Sequence, residues 1–149
     1  MPAIDATSTV IGMRKLAIYV SGKQDCAGVS LRGGCADSAE AVYLQQALEQ
    51  IIQQFRQRDL PCLWLDCRHL ETLSWQGQRA LLHVDNLART AGICLFWCGL
   101  NALVGEQLRT SGLYSLLYVR TAKEYAGPLL LLEENLPATV QLVRRGENR

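Results

Sequence analysis

Segments of strand-forming residues alternate with segments of helical spacing along nearly the whole chain, and this alternation constrains the fold more than any other feature. Two strand-like runs come first, and helix-like and strand-like runs then follow in turn. The predicted strands are residues 14–22, 27–34, 60–67, 92–99 and 113–120, and the predicted helices are residues 38–57, 75–92 and 101–112, with a last one that opens at Thr121. Alternation of this kind predicts an α/β fold, with a mixed, largely parallel sheet of about five strands and about four helices.

Residues typical of helix ends mark where these helices begin. Ser38, Ser74 and Asn101 each precede an apolar pattern of helical spacing, so we expect them to cap the first three helices. The sequence "TAKE" at 121–124 has the form of a capping box. Pro128 should kink or restart the helix that begins there, because proline cannot donate a backbone hydrogen bond.

The length and composition of the chain are those of a single globular domain. Its 149 residues are 49% hydrophobic and 19% charged, which supplies enough apolar side chains for a core and too little charge for a disordered chain. Residues 1–13 are expected to form an N-terminal extension and residues 14–135 the folded domain. Residues 136–149 are expected to form a C-terminal tail that is loose at its "RRGENR" end.

The balance of charge argues against nucleic acid as a partner. The formal net charge is +1, and no basic stripe stands out that would neutralise a phosphate backbone. The first thirteen residues lack a charged start followed by an apolar stretch, and no apolar run approaches the length needed to span a bilayer. We therefore expect a cytoplasmic protein that does not insert into a membrane.

Six cysteines raise the question of a disulfide framework or a metal site. Cys94 and Cys98 lie four positions apart on one predicted strand, about 13 Å from each other, which is too far for a shared tetrahedral zinc. Cys62 and Cys67 should point to opposite faces of another strand. The expectation is buried thiols that act as small hydrophobic side chains in a reducing cytoplasm. A metal site at Cys67 and His69 would need distant partners, so neither a metal nor a cofactor is predicted.

Hydrolytic chemistry is disfavoured by the sequence, and no enzymatic activity is predicted. Asp66, His69 and Ser74 have the residue types of a catalytic triad, but the G-x-S-x-G motif is absent and nearness in sequence does not establish a triad's geometry. Backbone amides in residues 33–38 and 98–105 could face an anion at a helix start. Neither segment has the spacing and lysine of a P-loop, so nucleotide binding is only weakly indicated.

The segment "LWLDCRHLETLSWQGQRALL" and the later segment "GICLFWCGLNALVGEQLRTSGLYSLLYVRTAKEY" carry a family resemblance. Their order and spacing resemble the STAS domain family, which includes anti-sigma factor antagonists and the cytoplasmic domains of sulphate transporters. In that family a strand ends in Asp, a short motif with a glycine then opens a helix, and a later helix ends in Ser-Gly-Leu. The matching positions in this chain are Asp66, Gly77, Ser111, Gly112 and Leu113.

The resemblance covers roughly residues 14–125 and implies a STAS-like fold and a non-enzymatic role in binding another protein. In the family's antagonists a serine just after the motif aspartate is phosphorylated by a partner kinase that is also the anti-sigma factor. Here Ser74 stands at the aspartate position, Trp75 at the phosphoacceptor position and Gln76 at the next small position. Tryptophan has no hydroxyl group, so the usual switch is expected to be degenerate, with Ser74 and Thr72 as nearby hydroxyls that could be phosphorylated instead.

The predicted contact surface lies at the start of the second helix. It consists of Ser74, Trp75, Gln76, Gly77, Gln78 and Arg79. Trp75 has two interpretations: it anchors a protein partner, as exposed tryptophans do at interface hot spots, or it covers the adjacent loop and fills space. By resemblance, the partner is an anti-sigma factor or a related serine-kinase-like regulator.

Other functions stay open from the sequence. Small STAS domains also serve as soluble accessory subunits of lipid-transporting ABC complexes, and binding to an ATPase subunit would favour that alternative. A small-ligand or nucleotide sensor would need a pocket that the sequence does not reveal. Leu142 and Val143 could mediate a homodimer or cap the sheet.

Overall fold

A mixed sheet lies at the centre of the fold. The computed structural model describes residues 14–22, 27–56 and 62–145, and in this part of the chain six strands form one sheet. The strands are β1 (Ala17–Gly22), β2 (Ala27–Cys35), β3 (Cys62–Leu73), β4 (Cys94–Cys98), β5 (Tyr118–Arg120) and β6 (Gln141–Leu142). The helices are α1 (Ser38–Arg56), α2 (Trp75–Thr90) and α3 (Ala102–Ser111), and short 3-10 turns cover Tyr114–Leu116, Ala122–Glu124 and Leu129–Leu132.

The strand order confirms the predicted fold class. The order is β5-β4-β3-β2-β1-β6, with parallel pairs from β2 through β5. β1 is antiparallel to both of its neighbours, β2 and β6. Each parallel strand lies beside the one that follows it in sequence, so right-handed crossovers place α1, α2 and α3 on one face of the sheet.

The hydrophobic core lies between the sheet and these helices. α1 and α2 turn their apolar stripes inward, and alternate residues of the central strands meet them. Core side chains include Leu44, Leu48, Ile51, Leu63, Leu65, Leu81, Val84, Ala88, Leu95 and Trp97. The opposite side of the sheet, here called the second face, carries Trp64 and Phe96, whose rings stack with their centroids 4.5 Å apart.

Strand β3 is longer than the sequence pattern predicts. The structure describes the strand from Cys62, and the predicted strand start at 60–61 lies outside the described residues, as does the predicted helix end at 57. The strand continues past Cys67 to Leu73 because it stays paired with β2 as far as Cys35, with two irregularities in register. Pairing with a neighbouring strand therefore holds the polar segment around His69 in extended conformation beyond the predicted end of the strand.

The chain after α3 departs from the prediction in two places. The predicted strand 113–120 is strand only at Tyr118–Arg120, which pairs with Phe96–Cys98, because a 3-10 turn occupies Tyr114–Leu116. The predicted final helix does not form within the described residues 121–145. The capping box at Thr121 and Glu124 is present, but it opens a single 3-10 turn. The structure accordingly has three α-helices among the described residues, where about four were expected.

The first helix is capped by a different residue from the predicted one. The Asp37 carboxylate accepts the backbone N–H of Glu40 at 2.9 Å, and Ser38 is already the first helical residue. Aspartate is favoured here because its negative charge also faces the positive end of the helix dipole. The other two predicted caps are confirmed: Ser74 accepts from Gly77 N at 3.2 Å, and Asn101 accepts from Val104 N at 2.8 Å.

The segment after β5 returns across the second face and ends in strand β6. Two arginines of the sheet hold it there by donating to its backbone carbonyls. Arg32 reaches the carbonyls of Leu131, Glu133 and Glu134, and Arg68 reaches that of Leu132 at 3.0 Å. Within the predicted tail, Gln141–Leu142 form β6, and the N–H of Val143 donates to the carbonyl of Ile18 at 2.8 Å. Residues 1–13 and 146–149 lie outside the described part of the chain, and the domain boundaries stay predictions.

Candidate functional site

Three helices begin beside one another at one edge of the sheet. β2, β3 and β4 run parallel and lead into α1, α2 and α3 through short loops, so the helix starts lie next to each other at the carboxyl ends of the strands. In open α/β sheets this is the edge where ligands bind. All six residues of the predicted contact surface, Ser74 to Arg79, belong to the middle of these three helix starts.

Ser74 connects the end of β3 to the start of α2 and to the neighbouring strand. Its side chain caps the helix through Gly77, and its own N–H donates to the carbonyl of Cys35 at 2.7 Å. Its backbone is extended, with φ −63° and ψ 167°, as a capping residue requires. Ser74 therefore has a structural role that accounts for its hydroxyl group.

Gly77 is buried where α2 passes closest to the end of β2. A Cβ atom at this position would lie 2.7 Å from Sγ of Cys35 and 2.8 Å from Cδ1 of Leu73. Both distances are shorter than real carbon contacts allow, so only glycine fits without movement. The glycine lets the helix start pack against the strand ends and thereby sets the position of Trp75.

Trp75 is the large apolar side chain of the predicted surface, and it is exposed. Its exposed fraction is 60%, and the guanidinium group of Arg79 lies 5.3 Å from its ring centroid. That distance is within the range of a cation–π contact. The space-filling interpretation of Trp75 is therefore not the one observed, because a side chain that covered the core would be largely buried.

Two further exposed apolar residues lie at the starts of the neighbouring helices. Val42 in α1 is 54% exposed, and Leu103 in α3 is 53% exposed. Neither residue was predicted from the sequence, since each stands beside the apolar stripe of its helix and looks like part of the core pattern. With Trp75 they place one exposed apolar side chain near the start of each helix at this edge.

A shallow groove separates the first turns of α1 and α2. It has a volume of about 340 Å³ and is lined by Val42, Gln76, Arg79 and His83, among others. His83 closes it by contacting Glu49 through Nε2 at 2.9 Å. The polar side chains of α2 and the exposed valine of α1 thus form one continuous surface.

Gln78 and Thr72 are placed away from this surface. Gln78 is buried and donates to the carbonyl of Leu73 at 3.3 Å. Thr72 lies on β3, where its hydroxyl accepts from Gln107 at 3.2 Å. Among the predicted contact residues, Gln76 and Arg79 line the groove, and Trp75 is exposed next to Arg79.

The three residues with triad chemistry are not brought together. Asp66 is buried and accepts two hydrogen bonds from the guanidinium group of Arg68, at 2.8 and 3.0 Å, and a third from the backbone N–H of Arg68 at 3.2 Å. Ser74 lies at the far end of the same strand, about 26 Å along the chain at the usual rise per residue. Burial, followed by the positive charge of neighbouring arginines, lowers the pKa of His69. Asp66 thus pairs with Arg68, and Ser74 caps α2.

The helix starts that could face an anion already have ligands from the chain itself. The carboxylate of Asp37 occupies the start of α1, and the amide oxygen of Asn101 occupies the start of α3. A carboxylate at this place repels a second anion. In the described part of the chain, no group of three or more His, Cys, Asp or Glu side chains could hold a metal ion. None of the described helices is long and apolar enough to cross a membrane.

The sequence matches no model of a known protein family and no curated protein. Solved structures do resemble it. The structure of the anti-sigma factor antagonist SpoIIAA in its unphosphorylated form matches with a TM-score of 0.51 at 16% identity, covering 72% of this chain and 90% of that one. The crystal structure of an anti-sigma factor antagonist from Mycobacterium paratuberculosis matches with a TM-score of 0.55 at 19% identity, covering 70% of this chain and 85% of that one.

These likenesses extend over most of both chains, and they concern the arrangement of the backbone. At identities below 20% they establish the fold. The predicted resemblance is therefore confirmed at that level: the chain has the STAS-like fold of anti-sigma factor antagonists.

Proposed function

We propose that this chain is a non-enzymatic module that binds another protein through the edge formed by the three helix starts. The observation that carries the proposal is the exposure of Trp75 at the start of α2. Exposing an indole to water is unfavourable, and tryptophan is among the residues that contribute most to protein interfaces. Val42 and Leu103 extend the apolar surface on either side of it.

The partner we propose is an anti-sigma factor or a related serine-kinase-like regulator. Support comes from the fold, which two solved anti-sigma factor antagonists share. It also comes from the resemblance, which aligns Trp75 with the phosphoacceptor position of the family. A tryptophan cannot accept a phosphoryl group, so we propose a partner interaction that phosphorylation at this position does not switch.

Affinity capture from the native lysate tests the surface directly. Tagged protein should retain a serine-kinase-like regulator, and Trp75→Ala should weaken the retained complex about 10-fold or more, because truncating a hot-spot residue costs about 2 kcal/mol. Leu129→Ala is the matched control, since Leu129 is 73% exposed but lies on the segment that crosses the second face. Thermal unfolding of both variants should match the unmodified chain.

The captured kinase then tests the switch. With ATP present, Trp75→Ser should become phosphorylated at the new hydroxyl, while the unmodified chain should not be modified at Ser74 or Thr72. Phosphate on either of those residues in the unmodified chain would contradict the loss of the switch. Capture of an ATPase with membrane subunits would instead favour an accessory subunit of a transporter, and retention unaffected by Trp75→Ala would place the interface elsewhere.

A further inference from the structure

Two cysteines face each other at the opposite end of the sheet from the proposed surface. Cys62 begins β3 and Cys94 begins β4, and the two are direct partners in the parallel register. Both side chains are partly exposed. The expectation that the cysteines are buried is therefore wrong for Cys62 and Cys94. A solvent-accessible pair of thiols can undergo reactions that a single buried thiol cannot.

The register places both side chains on the second face. Along β3 and β4 the next pair on this face is Trp64 with Phe96, two residues further on. The rings of that pair stack with centroids 4.5 Å apart, so side chains in this row approach each other closely. Neighbouring strands lie about 4.8 Å apart. Disulfide-linked cysteines have Cα atoms about 4.4 to 6.8 Å apart, which includes this spacing.

We propose that Cys62 and Cys94 are a redox-active dithiol that forms an intramolecular disulfide when the chain meets a low-molecular-weight disulfide such as oxidised glutathione. One cysteine thiolate attacks the oxidant's disulfide, which gives a mixed disulfide and releases one glutathione thiolate. The other cysteine thiolate then attacks the protein sulfur of the mixed disulfide and releases the second. Two electrons pass to glutathione, and the two protein protons end on the two released thiols.

The remaining described cysteines do not offer this chemistry. Cys35 and Cys67 are fully buried on the core side, and Cys98 is buried beside Asp66, its partner in the register. Burial raises the pKa of Cys35 to about 11 and that of Cys98 to about 12, so both stay protonated thiols. Burial also raises the pKa of Cys62, and the nearby Cys94 raises it further, in keeping with closely spaced sulfur atoms.

A glutathione titration followed by trapping of free thiols tests the proposal on the full folded chain. The expected product has lost two hydrogen atoms, carries two fewer alkyl groups after iodoacetamide treatment, and yields a peptide in which Cys62 is linked to Cys94. Cys62→Ser and Cys94→Ser should each abolish it. Both positions are partly exposed at strand ends, so the serine variants should fold, which thermal unfolding checks. Cys35→Ala is the control, since Cys35 is buried on the core side, and it should leave the product unchanged.

The linked form should also unfold at a higher temperature than the reduced form, because the bond closes the chain between two strands and restricts the unfolded state. Dithiothreitol should reverse this increase. The proposal is overturned if no disulfide forms under conditions that oxidise a reference dithiol. It is also overturned by a stable mixed disulfide on a single cysteine, by a disulfide to another cysteine, or by a disulfide that forms only in urea. The result does not depend on the proposed protein partner.

Discussion

At the scale of single residues, Gly77 is the position of the candidate site where a side chain has least room. Its helix start lies directly against Cys35 and Leu73, and a Cβ atom would approach both within 3 Å. Replacement by alanine normally stabilises a helix interior by about 0.5–1 kcal/mol. At Gly77 the expected overpacking cost of about 1–3 kcal/mol exceeds that gain.

Gly77→Ala should therefore lower the free energy of unfolding, which urea denaturation measures. Adding Cys35→Ala removes the nearer contact atom and should recover part of the loss, as a double-mutant cycle would show. Gly105→Ala is the control within α3, because its nearest neighbour would be Nη1 of Arg109 at 3.4 Å, the end of a flexible side chain. It should be neutral or stabilising. A Gly77→Ala chain as stable as the unmodified one would contradict the close packing.

At the scale of secondary-structure elements, one arginine ties α2 to the edge of the sheet. Arg89 pairs with the buried carboxylate of Asp85 at 2.7 Å, one turn earlier in the helix. It also donates to the carbonyl of Leu116 at 2.9 Å and lies over the ring of Tyr118 at 4.4 Å. The short strand β5 is thus held by side-chain contacts as well as by its pairing with β4.

Arg89→Ala should destabilise the fold by about 2 kcal/mol, because it leaves a buried carboxylate without its charged partner. Amide hydrogen exchange should accelerate in β5 and the preceding turn more than in β2. Asp85→Asn in the same chain should restore part of the stability, since a neutral amide is less costly to bury than a carboxylate. Arg79→Ala, which removes an exposed arginine of the same helix, should change stability little. If Arg89→Ala and Arg79→Ala lowered the free energy of unfolding equally, the proposed stabilising role of the Arg89–Asp85 pair would be contradicted.

At the scale of the whole molecule, the core holds several groups in their protonated state. Burial raises the pKa of Cys35 to about 11 from the ordinary 9.0, and burial also raises the pKa of Tyr43. The folded chain therefore binds these protons more tightly than the unfolded chain. The resulting stabilisation is complete below the unfolded-state pKa values and is lost as the pH rises through the folded-state values.

Stability should accordingly hold from pH 7 to about pH 8 and fall as the pH rises from 9 towards 11. Urea unfolding at a series of pH values, with a reductant present, measures this dependence. Cys35→Ala should make the fall shallower. Stability that stayed constant up to pH 11 would show that the Cys35 thiol and the Tyr43 hydroxyl are not kept protonated by burial.

The alternation of strands and helices, and most of their starts, follow from local patterns in the sequence. Helical and strand periodicity are properties of neighbouring residues, and so are the caps at Ser74 and Asn101, which depend on a side chain and an amide three residues later. The order of short motifs was enough for the STAS resemblance, and the shared fold confirms it. These features need no knowledge of which distant segments meet.

Features that depend on contacts between distant segments were set by the tertiary structure. β3 continues to Leu73 because β2 lies beside it, and the last predicted helix is replaced by turns held against the second face by Arg32 and Arg68. The exposure of Trp75 and the facing of Cys62 with Cys94 follow from packing and strand register, which a single sequence does not encode locally. Burial and register are relations between residues far apart in the chain, and they are settled only when the whole core forms.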